Sequence, residues 1–155
     1  MTTTTADLNF LGATARVLAS TEDYGLVHMD MPAGEMPPLH VHRDEDEGFY
    51  CLGGEITLYL PGESVTLRAG DFILAPRGIP HAYQVGPDGC RALVSSTPGG
   101  FERFVIAVAA RDELSPEILG GVAAEHGIEI LGPPGARPVG RAGGAAAPFS
   151  ARRPL

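Results

Sequence analysis

The chain has 155 residues, of which 11 are basic and 19 are acidic, and its formal net charge is −8. A chain of this length fits one domain and can bury about 70% of the surface that its unfolded form exposes. Nucleic-acid binding normally requires a basic patch, so the acidic balance argues against such a partner. Since no stretch reaches the roughly 18 apolar residues of a membrane helix and the N-terminus lacks the features of a signal peptide, we expect no membrane partner and a cytoplasmic location.

Short apolar runs between turn residues predict an all-β domain. We expect strands at residues 16–19, 26–31, 40–42, 47–52, 55–60, 64–67, 72–75, 81–85 and 91–96. Glycine and proline residues are expected to break these strands, for example at Gly53-Gly54 and at Gly86-Pro87.

The periodicity becomes helical from Phe101 onward. Ser115 is a good N-cap for a second helix that runs to about Glu125 and ends near Gly127. We expect both helices to pack on one end of the β-domain, and residues 128–131 to add a short extended segment.

The composition shifts after residue 131, and the domain is therefore expected to span 1–131, with its helices from about residue 100. Residues 132–155 contain four arginines and no acidic residue. This Gly/Pro/Ala/Arg composition predicts a disordered tail. We favour an inert extension over a tail that binds its own acidic domain.

The two cysteines, Cys51 and Cys90, lie far apart in the sequence. In a cytoplasmic protein two reduced thiols are expected, with one disulfide as the alternative. Cys51 shares its strand parity with Glu47 and Phe49, which predicts a buried apolar filler rather than a thiol beside a metal.

Histidines and a carboxylate form the pattern that carries the most chemistry. His40 and His42 point the same way on a strand, Glu47 follows at the start of an apolar run, and His81 lies far downstream. Three imidazoles and one carboxylate can surround a divalent metal and leave positions open for substrate. The alternative for each histidine is a surface or satisfied core residue.

Three other acidic residues crowd the same segment, namely Asp44, Glu45 and Asp46. An acidic run of this kind usually forms a solvated turn. Glu47 is the favoured ligand because it begins the apolar run and stands at a fixed distance before Gly53-Gly54.

Two motifs in this chain resemble those of the cupins, a family of small β-barrels. The pattern Gly-x5-His-x-His-x4-Glu-x6-Gly runs from Gly34 to Gly54, and the pattern Gly-x5-Pro-x-Gly-x2-His runs from Gly70 to His81. Val85 stands where the second motif usually ends with Asn. The resemblance spans roughly residues 10 to 110 and implies a small jelly-roll-type β-barrel, to which the periodicity adds one or two C-terminal helices.

The resemblance also implies a site and an activity. The family's metal ligands fall on His40, His42, Glu47 and His81, and the chain is most similar to single-domain cupins of the quercetin-dioxygenase type. The ligand set would accept one divalent Fe, Mn, Co, Ni or Zn ion, and such an enzyme would use O2 and a redox-capable ion to cleave a flavonol or similar 3-hydroxy-enone.

In this family context Glu47 would be both ligand and general base. Tyr83 would orient a substrate oxygen and Phe49 would pack on the substrate, with simple filling of the barrel as the alternative for both. Two other activities stay open: a non-oxidative isomerase, cyclase or decarboxylase for a polyketide-like or sugar-like substrate, and a binding or sensing protein. Small cupins often pair through strand edges, so a homodimer is expected.

Overall fold

A computed structural model describes residue 4 and residues 6–140 of the chain. Within these residues there are nine strands and two helices. The strands are β1 (Leu8–Phe10), β2 (Ala13–Ser20), β3 (Gly25–Met31), β4 (Pro38–His42), β5 (Asp46–Leu60), β6 (Glu63–Arg68), β7 (Phe72–Ala75), β8 (Ala82–Thr97) and β9 (Ile128–Pro134). The helices are α1 (Phe101–Ala109) and α2 (Pro116–Glu125).

The strands form two antiparallel sheets. The larger sheet has the order β1-β2-β3-β8-β5-β6, with β7 also paired to β5, and the smaller sheet contains β4 and β9. Residues from both sheets and both helices line one central cavity, although the sheets do not close into a continuous ring of hydrogen bonds. The predicted all-β, jelly-roll-type fold with C-terminal helices is confirmed.

Alternation along the strands directs the apolar side chains into this interior. In β3, for example, Val27, Met29 and Met31 are buried while the residues between them are not. Side chains on successive strand residues point to opposite faces, so this period of two is what a strand with one buried face requires.

The prediction of a turn at Gly53-Gly54 is wrong, because β5 continues through these two residues. The strand is irregular there, with register shifts between Cys51 and Gly53 and between Gly54 and Ile56. Gly54 has φ +73°, and a Cβ on it would lie 2.0 Å from the carbonyl oxygen of Gly89. Glycine at this point therefore permits a β-bulge and a close backbone approach instead of a turn.

The bulge changes which residues of β5 face the interior. Before it the buried apolar residues have odd numbers, Phe49 and Cys51, and after it they have even numbers, Ile56 and Leu58. The expected break at Gly86-Pro87 is also wrong, because β8 runs through it beside the same irregular stretch. The predicted strands 47–52 and 55–60 are thus parts of one long strand, β5. The predicted strands 81–85 and 91–96 likewise belong to one long strand, β8, which begins at Ala82.

The helices cover one end of the β-domain, as predicted. In α1 the residues at helical spacing are buried, and Phe10 makes edge contacts with the rings of Phe101 (5.8 Å between centroids) and Phe104 (5.7 Å). Ser115 caps α2 by accepting a hydrogen bond from the amide of Ile118 at 3.1 Å. The chain then leaves α2 through Gly127, which has φ +71°.

A buried carboxylate anchors α1 to the larger sheet. Glu102 is fully buried and accepts hydrogen bonds from Ser20 Oγ at 2.9 Å, Ser96 Oγ at 3.0 Å and Gly100 N at 2.8 Å. These bonds offset the cost of burying its charge and fix the start of the helix against β2 and β8.

The last strand extends to Pro134, so the first residues of the predicted tail pair with β4. Residues 141–155, which make up most of the predicted disordered tail, lie outside the described residues. Among the helices that the structure describes, none has the length and apolar character needed to span a membrane.

Asp46 holds the turn that precedes His81. Its carboxylate accepts hydrogen bonds from Arg77 N at 2.9 Å, Nε at 3.2 Å and Nη2 at 3.2 Å. These hydrogen bonds to Arg77 lower the pKa of Asp46. A lowered native pKa means that the stabilisation is present at neutral pH and is lost as the pH falls through that pKa.

We therefore expect Asp46→Asn to lower the free energy of unfolding at pH 7 by less than about 1 kcal/mol, because the pair is partly exposed. Urea unfolding at several pH values would measure this difference, which should shrink as the pH is lowered. Asp44→Asn removes the same charge from an exposed neighbour and is the matched control. Equal effects of the two substitutions would contradict the assigned role of Asp46.

Candidate metal centre

Four side chains from separate parts of the sequence converge at one end of the cavity. His40 and His42 are alternate residues of β4, Glu47 is the second residue of β5, and His81 immediately precedes β8. One potential ligand atom from each lies within 4.8 Å of those of the other three. The structure therefore brings together all four residues that were predicted as metal ligands.

Backbone hydrogen bonds bring the two motifs together. His40 N donates to His81 O at 3.2 Å and His81 N donates to His40 O at 2.9 Å. Gly78 N also donates to His42 O at 2.7 Å. The cluster thus forms although β4 pairs with β9 and not with β5.

The cluster is buried and centred on one carboxylate oxygen. His42, Glu47 and His81 are each at most 2% exposed, and His40 is half-buried. Glu47 Oε2 lies 2.9 Å from His81 Nε2 and 3.0 Å from His42 Nε2. At this burial the charges act in a medium of low polarisability and influence one another strongly.

Two of the imidazoles are oriented through their Nδ1 atoms. His40 Nδ1 lies 2.7 Å from Pro38 O, and His42 Nδ1 lies 2.8 Å from Glu45 Oε1. Because both oxygens can only accept, each Nδ1 carries the proton, and each Nε2 remains for another partner. Histidine ligands of metals are commonly held in this way.

The pKa values reflect the balance between burial and charge. Burial, followed by the charges of His81 and His42, lowers the pKa of His40 to about 3. Burial also lowers the pKa of His42, but the carboxylates of Glu47 and Glu45 outweigh it and raise the value to about 10. For Glu47 burial raises the pKa, yet His42 and His81 outweigh it and hold the value well below the usual range.

The donor set fits a divalent transition metal. Among the described residues, His42 Nε2 forms an ion-pair contact with Glu47 Oε2 at 3.0 Å but no hydrogen bond, and the buried His81 Nδ1 has no hydrogen-bond partner. Unsatisfied buried polar atoms are costly, and a bound cation can satisfy an imidazole nitrogen. Imidazole and carboxylate ligands suit several first-row divalent ions, so the residues do not select one metal.

The cavity beside the cluster is mainly apolar. Its volume is about 50 Å³, which is well below the roughly 300–1,000 Å³ of sites that take drug-sized ligands. His40, His42 and Glu47 line it together with the predicted substrate-binding residues Phe49 and Tyr83.

The two aromatic residues lie next to the cluster. The Phe49 ring is 6.1 Å from that of His81 and 6.2 Å from that of Tyr83. Burial, followed by the charges of Glu35 and Glu47, raises the pKa of Tyr83 well above its usual value. Tyr83 therefore keeps its hydroxyl proton at neutral pH and can donate a hydrogen bond into the cavity.

The helices form a wall of the cavity that sequence reasoning did not place there. Phe101 and Phe104 of α1 and Leu119 of α2 line it together with residues of the strands. Their helical spacing predicted burial, but spacing alone does not show which space they enclose.

Glu45 is the site residue that the sequence analysis missed. The expectation of a solvated acidic turn is wrong here, because Glu45 is only 4% exposed and bonds to His42. Its position three residues after His42 was the available signal, since a tight turn can return such a side chain to its neighbour.

The two cysteines prove to be neighbours in the fold. Cys51 and Cys90 are buried free cysteines whose Sγ atoms lie 3.8 Å apart across β5 and β8. Cys51 packs in the core, as predicted, and neither cysteine belongs to the metal cluster.

The fold and the cluster together define a jelly-roll-type β protein with a candidate metal centre. The cupin domain model matches residues 27–95, a region that contains all four cluster residues. This part of the chain therefore matches the cupin domain, and it is similar to quercetin 2,3-dioxygenases.

Two curated relatives carry this likeness. Quercetin 2,3-dioxygenase of Bacillus subtilis (strain 168) is 40% identical over 82 residues, which cover 52% of this chain and 24% of the relative. Quercetin 2,3-dioxygenase of Aspergillus japonicus is 31% identical over 68 residues, covering 41% of this chain and 19% of the relative. The matches thus span only a quarter or less of these proteins.

Solved structures show the same fold. KdgF from Halomonas sp. has a TM-score of 0.56 and 23% identity, over 59% of this chain and 84% of that protein. An RmlC-like cupin from Shewanella frigidimarina has a TM-score of 0.56 and 22% identity, over 61% and 85%. At this identity the likeness establishes the fold alone.

The raised pKa of His42 predicts that metal binding displaces a proton. Because the pKa is raised to about 10, protonation stabilises the apo-protein fully below the usual value of 6.5, and this contribution is lost as the pH rises through about 10. A metal at Nε2 must remove that proton. At pH 7.5 we expect release of about one proton per ion.

Calorimetric titration of chelator-treated protein in buffers of different ionisation enthalpy would count the released protons. The count should fall toward zero above the pKa of His42. His28→Ala changes a histidine outside the cluster and should leave the count unchanged. Release of no proton at pH 7.5 by an ion that does bind would contradict the assigned protonation state.

Proposed function

We propose that this protein is a metal-dependent enzyme that cleaves a flavonol-like or other 3-hydroxy-enone or aromatic substrate with O2. The observation that carries the proposal is the convergence of three imidazoles and one carboxylate at the end of a mainly apolar cavity. The quercetin 2,3-dioxygenase relatives support the choice of reaction.

In this proposal His40, His42, Glu47 and His81 would hold one divalent ion. The ligand set accepts Fe, Mn, Co, Ni or Zn, and the reaction with O2 requires a redox-capable ion. When bound, the ion supplies a Lewis-acidic centre, and a redox-capable ion also permits chemistry with O2. The protein contributes a dry, shaped cavity and a fixed set of ligands.

Glu47 is proposed to accept the hydroxyl proton of the substrate. Its pKa lies well below the usual range, because two imidazoles face its carboxylate. It therefore becomes an effective base only when the entering substrate excludes water from the carboxylate and so raises that pKa. The apolar walls of the cavity favour such desolvation.

Tyr83 and Phe49 are proposed to bind the substrate. The protonated hydroxyl of Tyr83 donates a hydrogen bond to a substrate oxygen, and the ring of Phe49 packs against an aromatic substrate. The apolar lining also favours an aromatic substrate over a sugar, whose many hydroxyls would lack partners.

The main alternative is a non-oxidative isomerase, cyclase or decarboxylase. The same ligands and Glu47 would polarise a carbonyl and move a proton, and the apolar cavity suits a polyketide-like substrate better than a sugar-like one. A binding or sensing protein would use the same cavity without turnover. The three classes differ in their need for O2 and in their tolerance of zinc.

Oxygen uptake tests the proposal. Apo-protein is reloaded separately with Fe, Mn, Co, Ni and Zn and offered flavonols and simple 3-hydroxy-enones. We expect uptake with at least one redox-capable ion and none with zinc. Glu47→Gln should lower the rate by about 100-fold or more, because a proton acceptor is lost. Metal content measured on each sample separates loss of chemistry from loss of the ion.

Asp44→Asn is the matched control for that experiment, since it removes an exposed carboxylate from the same segment. Absence of uptake in protein that holds a redox-capable ion would overturn the dioxygenase proposal. Turnover without O2, and equally with zinc, would establish the non-oxidative class instead.

Tyr83→Phe removes only the hydroxyl group from the cavity. Loss of one hydrogen bond to the substrate should lower kcat/KM about 10-fold, with the metal content unchanged. Steady-state kinetics would measure this. Tyr59→Phe is the control, because the Tyr59 hydroxyl contacts Gln84 and Arg137 on the outside of β5. Equal kinetics for wild type and Tyr83→Phe would leave Tyr83 only a filling role.

We also propose that the protein is a cytoplasmic homodimer whose partners are small molecules and neither nucleic acid nor membrane. The net charge of −8 supports the exclusion of nucleic acid. We further propose a domain at 1–131 followed by a tail at 132–155, of which the residues up to Pro134 pair with β4. Sedimentation of the full chain and of a chain ending at residue 140 would test the dimer and the contribution of the tail.

A further inference from the structure

We infer that Glu45 is a positioning residue of this site, whose carboxylate fixes the orientation of His42 and ties it to the first residue of α1. The inference rests on the proposed metal site. It adds to that proposal a residue outside the ligand set, which connects the ligand His42 to Phe101 in the cavity wall through hydrogen bonds.

Both oxygens of Glu45 are engaged. Oε1 accepts from His42 Nδ1 at 2.8 Å, and Oε2 accepts from the backbone amide of Phe101 at 3.0 Å. The Glu45 side chain is 6% exposed and the His42 side chain is 2% exposed, so little water competes for these bonds. A charged acceptor in such surroundings forms strong hydrogen bonds.

The two bonds require a carboxylate. The amide of Phe101 is the first of α1, and the first amides of a helix have no acceptor within it. Glutamine has only one acceptor oxygen and could satisfy His42 or Phe101, but not both. The negative charge is also favoured at the beginning of a helix.

Gly100 provides the space for this arrangement. A Cβ on Gly100 would lie 2.3 Å from Glu45 Oε2, which no real contact allows. Gly100 has an extended φ of 171°, so the backbone conformation does not demand glycine. Glycine is required here because the carboxylate of Glu45 occupies the space that the side chain of any larger residue would need.

The consequence is that one carboxylate positions both a ligand and a wall of the cavity. With its proton held on Nδ1, His42 turns Nε2 toward Glu47. The ring of Phe101 packs 5.9 Å from that of His42, and Phe101 lines the cavity. Loss of Glu45 should therefore free the ring of His42 and loosen the start of α1.

Zinc is a suitable probe because it is diamagnetic and binds this type of donor set. Long-range proton–nitrogen NMR spectra of ¹⁵N-labelled, zinc-loaded protein report the tautomer of each imidazole. In wild type we expect His42 to bind zinc through Nε2 and to show a slowly exchanging Nδ1 proton. In Glu45→Ala that proton should exchange fast, and zinc affinity should fall about 10- to 100-fold.

Three comparisons separate positioning from a general loss of structure. The Nδ1 proton of His40 is held by Pro38 O and should remain unchanged in the same spectrum. Glu45→Gln should show an intermediate effect, and it serves as the second variant if Glu45→Ala does not fold. Glu113→Ala removes an exposed glutamate and should match wild type.

Gly100→Ala tests the same link from the other side. It leaves Glu45 in place but obstructs Oε2, so it should weaken zinc binding in the same direction as Glu45→Gln. Unchanged zinc affinity together with an unchanged His42 Nδ1 proton in Glu45→Ala would overturn this inference alone. Failure of wild type to bind any divalent ion would instead overturn the proposed metal site itself.

Discussion

The backbone pairing of His40 with His81 is the constraint on which the candidate site depends. Its two hydrogen bonds connect the small sheet of β4 and β9 to the start of β8 in the large sheet. They also place ligands from both motifs side by side, because the residues that pair are themselves two of the four donors. The backbone hydrogen bonds thereby place these donors close together without a bound ion. Only the rotamers of the side chains then remain to be fixed.

The site also depends on the pairing of its buried charges. Glu47 faces two imidazoles, and Glu45 faces one of them from the opposite side. Isolated charges at this depth would be very costly, so each is matched by a partner or a hydrogen-bond donor. A divalent cation fits this arrangement because three imidazoles and one carboxylate each offer a ligand atom within 4.8 Å of the others. The apolar walls then make the centre suitable for a substrate that brings few polar groups of its own.

The strands illustrate where local patterns succeed and where they fail. Apolar alternation placed nearly every strand correctly, and the N-cap at Ser115 marked the second helix. Gly53-Gly54 was predicted as a turn, because glycine pairs often form one. In the fold Gly54 meets the carbonyl of Gly89 on a partner strand that no local pattern identifies. A bulge and a turn can use the same residues, and only the pairing strand distinguishes them.

By itself the sequence determined the fold class, the two helices and the four residues that converge, since alternation and motif spacing are local properties of the chain. Only the tertiary structure decided how those residues converge, which cavity they serve and what supports them. Glu45 is the clearest case: an acidic residue in a polar run is ordinarily solvated, and it is buried here because Phe101, far along the chain, offers an amide to it. The wall that α1 adds to the cavity is a second case. Helical spacing predicts that these residues are buried, but it does not predict which residues they contact. Such contacts depend on residues distant in sequence, and their energies appear only once the chain has folded.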